Sequence, residues 1–358
     1  MIRRDLAALK TSVPRRTAWP VSVLLCVYLL LLWLSSAVVL LAQDGGTIRG
    51  SVVNGTSGGG SVAGLQIDLR SFTGDTEGQR YTATTDAAGA FRFAGLNTGT
   101  DTSYLPQVEY QGVVYSPGGL AFEAGQTELV TQVDVYETTT DNRDIGVGRA
   151  HILIETAAGG VTVTEMYAFQ NPTDRTYIGA EEIDGQRWTS RLLLPQGGRD
   201  LALDDGTLGG RFLAVTGGFV DTEPQWPGTT TVLFAYAVDC PAGECDLTRE
   251  VTHSIANLNV LLPNTGAQVQ SDKLTLLGTQ EAQGQSYLNY TGGGLLPGDT
   301  LDLHVRLQQS APAPAPAAGR AAGSQPLPWI VLGTAVTLVA LVYPFWRQRV
   351  QAAVRERR

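Results

Sequence analysis

Hydrophobic and polar residues alternate with a period of two along most of the middle of this chain. In the stretch YTATTDAAGAFRFAGL, Tyr81, Ala83 and Thr85 alternate with Thr82 and Thr84, and Phe91 and Phe93 flank Arg92. That period belongs to half-buried strands. Asp86-Ala87-Ala88-Gly89 lies between the two runs, with a carboxylate able to accept backbone N–H bonds and a glycine where positive φ is often needed. The stretch is therefore expected to be a β-hairpin with nothing reactive in it. The same reading gives strands at 47–54, 62–72, 80–85, 90–96, 105–115 and 129–136. Further along it gives 161–170, 191–194, 230–238, 258–262 and 301–307. The last alternates most cleanly, with Leu301, Leu303, Val305 and Leu307 on one face and Asp302, His304, Arg306 and Gln308 on the other.

Helical periodicity is almost absent between Gln43 and Gln309, and glycine clusters such as Gly58-Gly59-Gly60 and Gly292-Gly293-Gly294 separate the strand-like runs. The expected class is all-β: two antiparallel β-sandwich modules in tandem, flanked by N- and C-terminal transmembrane helices. The first module spans 47–137, a polar connector 138–148, and the second module 149–309. Asn171-Pro172 should stop a strand, since proline cannot donate to a ladder and restricts its predecessor. Residues 310–328 are an Ala/Pro-rich spacer, extended where alternating Ala-Pro stiffens it.

The ends follow a different pattern. Residues 19–42 carry no charge and are dominated by Leu, Val and Ala, which is long enough to span a bilayer, and 329–346 is a shorter uncharged stretch. Arg3, Arg4, Lys10, Arg15 and Arg16 precede the first within 1–18, and Arg347, Arg349, Arg355, Arg357 and Arg358 follow the second within 347–358. The positive-inside rule puts both termini in the cytoplasm and the middle across the membrane. The first stretch is longer than a secretory h-region, which favours an uncleaved anchor, though Ser35-Ser36-Ala37 and Leu40-Leu41-Ala42 offer small residues where a signal peptidase could cut. Cys26 has no lipobox around it and is expected to pack in lipid.

Charge divides the same way. The two ends hold ten basic and two acidic residues, net +8, and the middle holds fifteen basic and thirty-two acidic residues, net −17. An acidic middle argues against nucleic acid as a partner and against docking on anionic lipid.

The first module resembles the carboxypeptidase regulatory-like domain, a prealbumin-like β-sandwich with a carbohydrate-binding-like label, found on many exported bacterial proteins. The resemblance rests on GTIRG at Gly46 to Gly50, on Val62-Ala63-Gly64-Leu65 leading into a strand through Leu69, on TTDAAGAFRFAGL, and on YQGVVYSP. It covers about a quarter of the chain. It implies a fold and an accessory role in binding or spacing at the surface of a bacterial cytoplasmic membrane, with a glycan or envelope polymer as the natural ligand class; it does not imply peptidase activity. The Lys-Asn cross-link of related collagen-adhesin modules cannot form in this module, which has no lysine; the chain has only Lys10 and Lys273. The second module resembles no family.

Candidate chemistry is sparse, and no catalytic, cofactor or metal residues are expected. His151, His253 and His304 are isolated in sequence and lack ligand spacing such as H-x-x-x-H. Cys240 and Cys245, separated by a Pro/Gly turn in an exported domain, are expected to form a disulfide. Gly55-Thr56-Ser57-Gly58-Gly59 satisfies G-x-S-x-G, but a nucleophile elbow needs a strand, a sharp turn and a helix. Asp204-Asp205-Gly206 and Glu181-Glu182-Ile183-Asp184 are acid-rich loops without an ordered cation-ligand series. Tyr104, Tyr110, Tyr115, Trp188 and Trp226 could line a sugar- or peptide-binding surface, though aromatics on alternating strands are more often core. Trp226, pinned between Pro224 and Pro227, is the best candidate for a ligand contact.

The expectation is a non-enzymatic membrane-anchored extracytoplasmic binding or assembly protein, in contact with lipid through its two spans. Within that class it could serve as an accessory subunit with a membrane-protein partner. The rival from another class is an exported hydrolase whose second module sets His253 beside two carboxylates in a concave pocket.

Overall fold

The computed structural model describes residues 45–307, apart from Ala158 and Gln283. The two apolar stretches expected to span a membrane, 19–42 and 329–346, lie outside the described residues, as do 1–18, 310–328 and 347–358. Among the described residues no helix is long and apolar enough to cross a membrane. The chain there is all-β, in several sheets, with one 3-10 turn at Pro241–Gly243.

The first eight strands are β1 (Gly46–Asn54), β2 (Gln66–Thr73), β3 (Thr76–Thr84), β4 (Ala90–Leu96), β5 (Thr102–Tyr110), β6 (Val113–Tyr115), β7 (Leu120–Ala121) and β8 (Glu128–Val135). One sheet runs β4-β1-β8, and a second runs β3-β2-β5-β6 with β7 on β5. Ile48, Val52, Phe91, Phe93 and Val133 from the first meet Ile67, Leu69, Tyr104, Val108 and Tyr115 from the second in one buried cluster. Each large apolar side chain so buried stabilises the fold by about 1.5–3 kcal/mol.

Two expectations change here. The Asp86 turn has the anticipated chemistry: its Oδ1 accepts from the backbone N–H of Ala88 at 2.8 Å and of Ala90 at 2.9 Å. Gly89 has φ +80°, and a Cβ there would lie 2.5 Å from the Val52 carbonyl oxygen. Yet β3 pairs with β2, and β4 pairs with β1, so the turn is a corner that carries the chain from one sheet to the other and not a hairpin. A local alternation fixes which side chains face inward but not which strand lies alongside. The stretch 105–115 is itself the hairpin: Gln111 and Gly112, at φ 51° and 77°, turn β5 back along β6.

The remaining strands are β9 (Thr138–Thr139), β10 (Gly146–Ala157), β11 (Gly160–Asn171), β12 (Thr176–Tyr177), β13 (Glu181–Ile183), β14 (Gln186–Trp188), β15 (Ser190–Leu193) and β16 (Arg199–Leu203). They continue as β17 (Phe212–Val215), β18 (Gly218–Asp221), β19 (Gly228–Asp239), β20 (Glu244–Asp246), β21 (Arg249–Glu250) and β22 (Leu258–Pro263). The last are β23 (Gln268–Gln270), β24 (Thr275–Ala282), β25 (Gln285–Gly292), β26 (Thr300–Leu301) and β27 (His304–Arg306). A seven-stranded sheet in the order β16-β19-β11-β10-β22-β25-β24 shares a second buried cluster with residues of three small sheets, β15-β18-β17, β20-β27-β23 and β21-β26.

The sheets are mixed and not purely antiparallel as expected: β1 pairs parallel with β8, β10 with β22, and β9 with β12. The stretch 138–148 expected as a connector supplies β9 and the start of β10. Central β10 buries Ile152, Leu153 and Ile154 in succession, which breaks the alternation that marks a half-exposed strand. The clean alternation at 301–307 does set Leu301, Leu303 and Val305 inward. The chain nevertheless changes partners within it, β26 lying on β21 and β27 on β20 and β23.

Candidate functional site

Among the described residues, polar side chains gather at the junction between the two buried clusters and in the interior of the second. At the junction the chain leaves β8 through Tyr136 and Glu137 and enters β9, which pairs with β12. Glu137 Oε1 accepts from the Gly60 backbone N–H at 2.8 Å, the Tyr110 hydroxyl at 2.7 Å and Asn54 Nδ2 at 3.0 Å, while Oε2 accepts from Gln111 Nε2. Donation from the Gly60 N–H, then from Tyr110 and Asn54, lowers the Glu137 carboxyl to about 2. Burial, with the facing carboxylate, pushes the Tyr110 hydroxyl up to about 12.

The loop that follows β1 closes the same junction. Thr56 Oγ1 accepts from the Glu137 N–H at 2.9 Å and donates to the Asp174 carbonyl at 2.6 Å, and the Ser57 N–H donates to Asp174 Oδ2 at 2.9 Å. This loop is the G-x-S-x-G match, and its role here is structural joining: Ser57 engages through its backbone, in a turn between strands. The Tyr115 hydroxyl lies 3.0 Å from the Tyr136 carbonyl and 2.8 Å from Thr176 Oγ1. Trp226, expected as an exposed ligand contact, is half-buried; its ring lies 5.2 Å from that of Tyr115 and packs against the first cluster. Tyr104, Tyr110 and Tyr115 are core residues of the first sandwich.

The second place was missed by sequence reasoning, although its signal was present. On β11 the buried face reads Val161, Val163, Glu165, Tyr167, Phe169, so the alternation itself puts Glu165 inside. On β19 the buried face includes Phe234 and Tyr236. Glu165 is fully buried; Oε1 accepts from the Tyr236 hydroxyl at 2.5 Å, and Oε2 from the Tyr167 hydroxyl at 2.7 Å and from Arg249 Nη2 at 2.6 Å. Arg249 Nη1 donates to the Leu247 carbonyl at 3.2 Å. Burial opposes the Arg249 charge, but the Glu165 carboxylate outweighs it and holds the guanidinium well above its ordinary pKa. Burial, then the same carboxylate, raises both tyrosines. What distance along the chain hides is the partner: Arg249 comes from β21, 84 residues away.

Beside this cluster is a small hollow, about 20 Å³, lined by residues that include Tyr167, Leu192, Arg249, Glu250, Thr252 and His253. That is room for about one water molecule. His253 Nδ1 lies 3.0 Å from Thr252 Oγ1, and its ring stands edge-on to Phe169 at 5.1 Å. Burial lowers its pKa to about 4, which keeps it neutral at ordinary pH. The hydrolase expectation set His253 beside two carboxylates. Here Glu165 is bound to Arg249, and Glu250 lines the hollow.

The other histidines lie apart from this hollow. His151 is half-buried on β10, and His304 is exposed on β27, its Nδ1 3.5 Å from Asp246 Oδ1. Among the described residues no group of three or more His, Cys, Asp or Glu side chains could hold a metal ion. Cys240 and Cys245 form a disulfide across the Pro241–Gly243 turn, and both are buried. Of the acid-rich loops, Asp205 joins Asp221 and Glu223 around Arg211, and Glu182 pairs with Arg187 at 2.9 Å.

No family model matches the chain, and no curated protein matches it in sequence. Among solved structures, a DUF3823 family protein from Parabacteroides merdae aligns over 52% of this chain and 79% of its own, at 13% identity and a TM-score of 0.19. The major pilin SpaD from Corynebacterium diphtheriae aligns over 72% of this chain and 81% of its own, at 11% identity and a TM-score of 0.21. Invasin, a bacterial integrin-binding protein, aligns over 72% of this chain and 56% of its own, at 15% identity and a TM-score of 0.15. At those TM-scores none of the three carries an argument about fold or function.

Proposed function

We propose that this chain is a non-enzymatic, membrane-anchored extracytoplasmic binding or assembly protein. Two β-sandwich modules in tandem stand outside the cytoplasmic membrane of a bacterium, and both termini lie in the cytoplasm. The observation that carries the reading is the junction: Thr56, Ser57 and Tyr115 of the first module bond to Asp174 and Thr176 of the second. A hydrogen-bonded joint holds two surfaces in one relation, which suits a scaffold, whereas loosely joined domains move by default. The charged-flanked apolar stretches support the membrane placement, and the Cys240–Cys245 disulfide fits an oxidising compartment. The likeness of the first module to carboxypeptidase regulatory-like domains favours a glycan or envelope polymer as ligand. An accessory role in a membrane complex, engaged through the spans or the second sandwich, is the other form of the same reading.

Cross-linking and pull-down of the full-length protein from its native membrane, beside a glycan array probed with the same preparation, tests this. A stoichiometric membrane partner or reproducible glycan binding is the expected result. Hydrolysis of an ester, peptide or glycan that disappears in His253→Ala would overturn it.

A further inference from the structure

Two pairs of arginines face each other across neighbouring strands on the solvent sides of the first sandwich. Arg70 of β2 lies directly opposite Arg80 of β3, and Arg49 of β1 lies directly opposite Arg92 of β4. Direct opposition brings Cβ atoms to about 4.5–5.5 Å, where like charges repel. The first pair has its anion. Glu77 accepts from Arg70 Nε at 3.1 Å and Nη2 at 2.6 Å, and from Arg80 Nε at 2.7 Å. One carboxylate thus serves both guanidinium groups, and they, Arg70 foremost, hold its carboxyl down at about 2.

The second pair is one anion short. Glu128 binds Arg49 at 2.9 Å, whereas the Arg92 side chain is exposed and forms no ion pair or hydrogen bond among the described residues. The register between Ile48 and Ser51 is regular, so Arg92, Arg49 and Val130 form one row across β4, β1 and β8, all on the face turned away from the core. Val130 is 69% exposed, and in the next row Ala90 and Ser51 are too short to cover the guanidinium groups.

We propose that this row binds a carboxylate carried by a glycan chain, which takes at Arg92 and Arg49 the place that Glu77 takes at Arg70 and Arg80. The inference rests on the reading of this chain as a glycan-binding surface protein and names the chemical class of that ligand. A guanidinium group presents a planar fork of donors that matches a carboxylate with two parallel bonds. The exposed Arg49–Glu128 pair yields readily to an incoming anion, because an ion pair so open to water contributes little. The surrounding charge, net −17 over the middle of the chain, repels a polyanion elsewhere, so the contact depends on these two side chains.

The test uses the full-length protein in detergent, with polygalacturonate as the carboxylate probe, poly(glycerol phosphate) as a phosphate probe and dextran as a neutral one. Polygalacturonate should bind most tightly, about tenfold more weakly after Arg92→Gln, and more weakly again as salt is raised. Arg306→Gln on β27 removes an exposed, paired arginine and should leave binding unchanged. Without ligand, Arg92→Gln should unfold at a slightly higher denaturant concentration than the natural protein, since it relieves the repulsion from Arg49. Equal affinity for polygalacturonate and dextran overturns the proposal and leaves the glycan reading standing, and tighter binding of the phosphate probe overturns the choice of carboxylate. Binding of none of the three overturns the proposal, while cross-linking from the native membrane decides the broader function separately. An Arg92→Gln variant that binds as before, or that is less stable than the natural protein, also overturns it, the latter because Arg92 then serves the fold.

Discussion

Glu137 and Glu165 each accept a hydrogen bond from a tyrosine hydroxyl 2.7 Å away, Tyr110 for the first and Tyr167 for the second, yet their surroundings differ in kind. Glu137 is half-buried at the junction and is satisfied by donors that carry no charge: a backbone N–H, a tyrosine, an asparagine and a glutamine. Glu165 is fully buried and has two tyrosines and the guanidinium of Arg249. Near water, dipoles suffice to hold a carboxylate ionised. In the core the charge must also be balanced, because an isolated buried ion loses far more hydration than neutral donors return. The first arrangement ties the end of β8 to the end of β1, the loop after it and the β5–β6 turn, and the second pins β21 to the centre of one sheet.

The sharpest way to break this comparison is to remove the cation. Arg249→Met should lower stability by about 3–5 kcal/mol, read from the denaturant midpoint, because Glu165 is then buried without a counter-charge. Adding Glu165→Gln to that variant should recover part of the loss, and a double variant no more stable than the single would show that packing, and not charge, sets the cost. At the junction the effects are smaller. Trp226→Ala removes the ring packed on Tyr115 and should cost about 2 kcal/mol. If the same variant also loses ligand while a stability-matched variant elsewhere does not, Trp226 has a binding role besides its packing.

Glu137→Gln should cost about 1 kcal/mol, since an amide nitrogen or oxygen replaces charged acceptors that serve several donors. Its effect has a pH signature. The folded carboxyl titrates at about 2 against an ordinary value of 4.5, so its contribution is complete above about pH 4.5 and fades as pH falls towards 2. The stability difference between the natural protein and Glu137→Gln should therefore shrink on acidification through that window. A difference that stays constant with pH would mean that Glu137 acts through shape alone.

Much of the architecture could be read from the chain itself, because alternation reports which face of a strand is buried. Phe91 and Phe93 of β4 and the inward residues of β11, β19 and the segment Leu301 to Val305 follow it, and Glu165 sat in plain view between Val163 and Tyr167. The Cys240–Cys245 pairing was equally legible, since only a short turn separates the two thiols. Pairing partners were not. Whether the Asp86 turn closes a hairpin or crosses between sheets depends on what lies beside β3 and β4: β3 folds back on β2 just before it, and β4 is taken by β1 at the start of the module. Arg249 meets Glu165 across 84 residues, and the loop at Thr56 meets Asp174 across 118. Burial has a local period that a sequence displays, whereas contacts between distant segments are decided when the sheets pack, by which buried polar groups find partners and which cores close without voids.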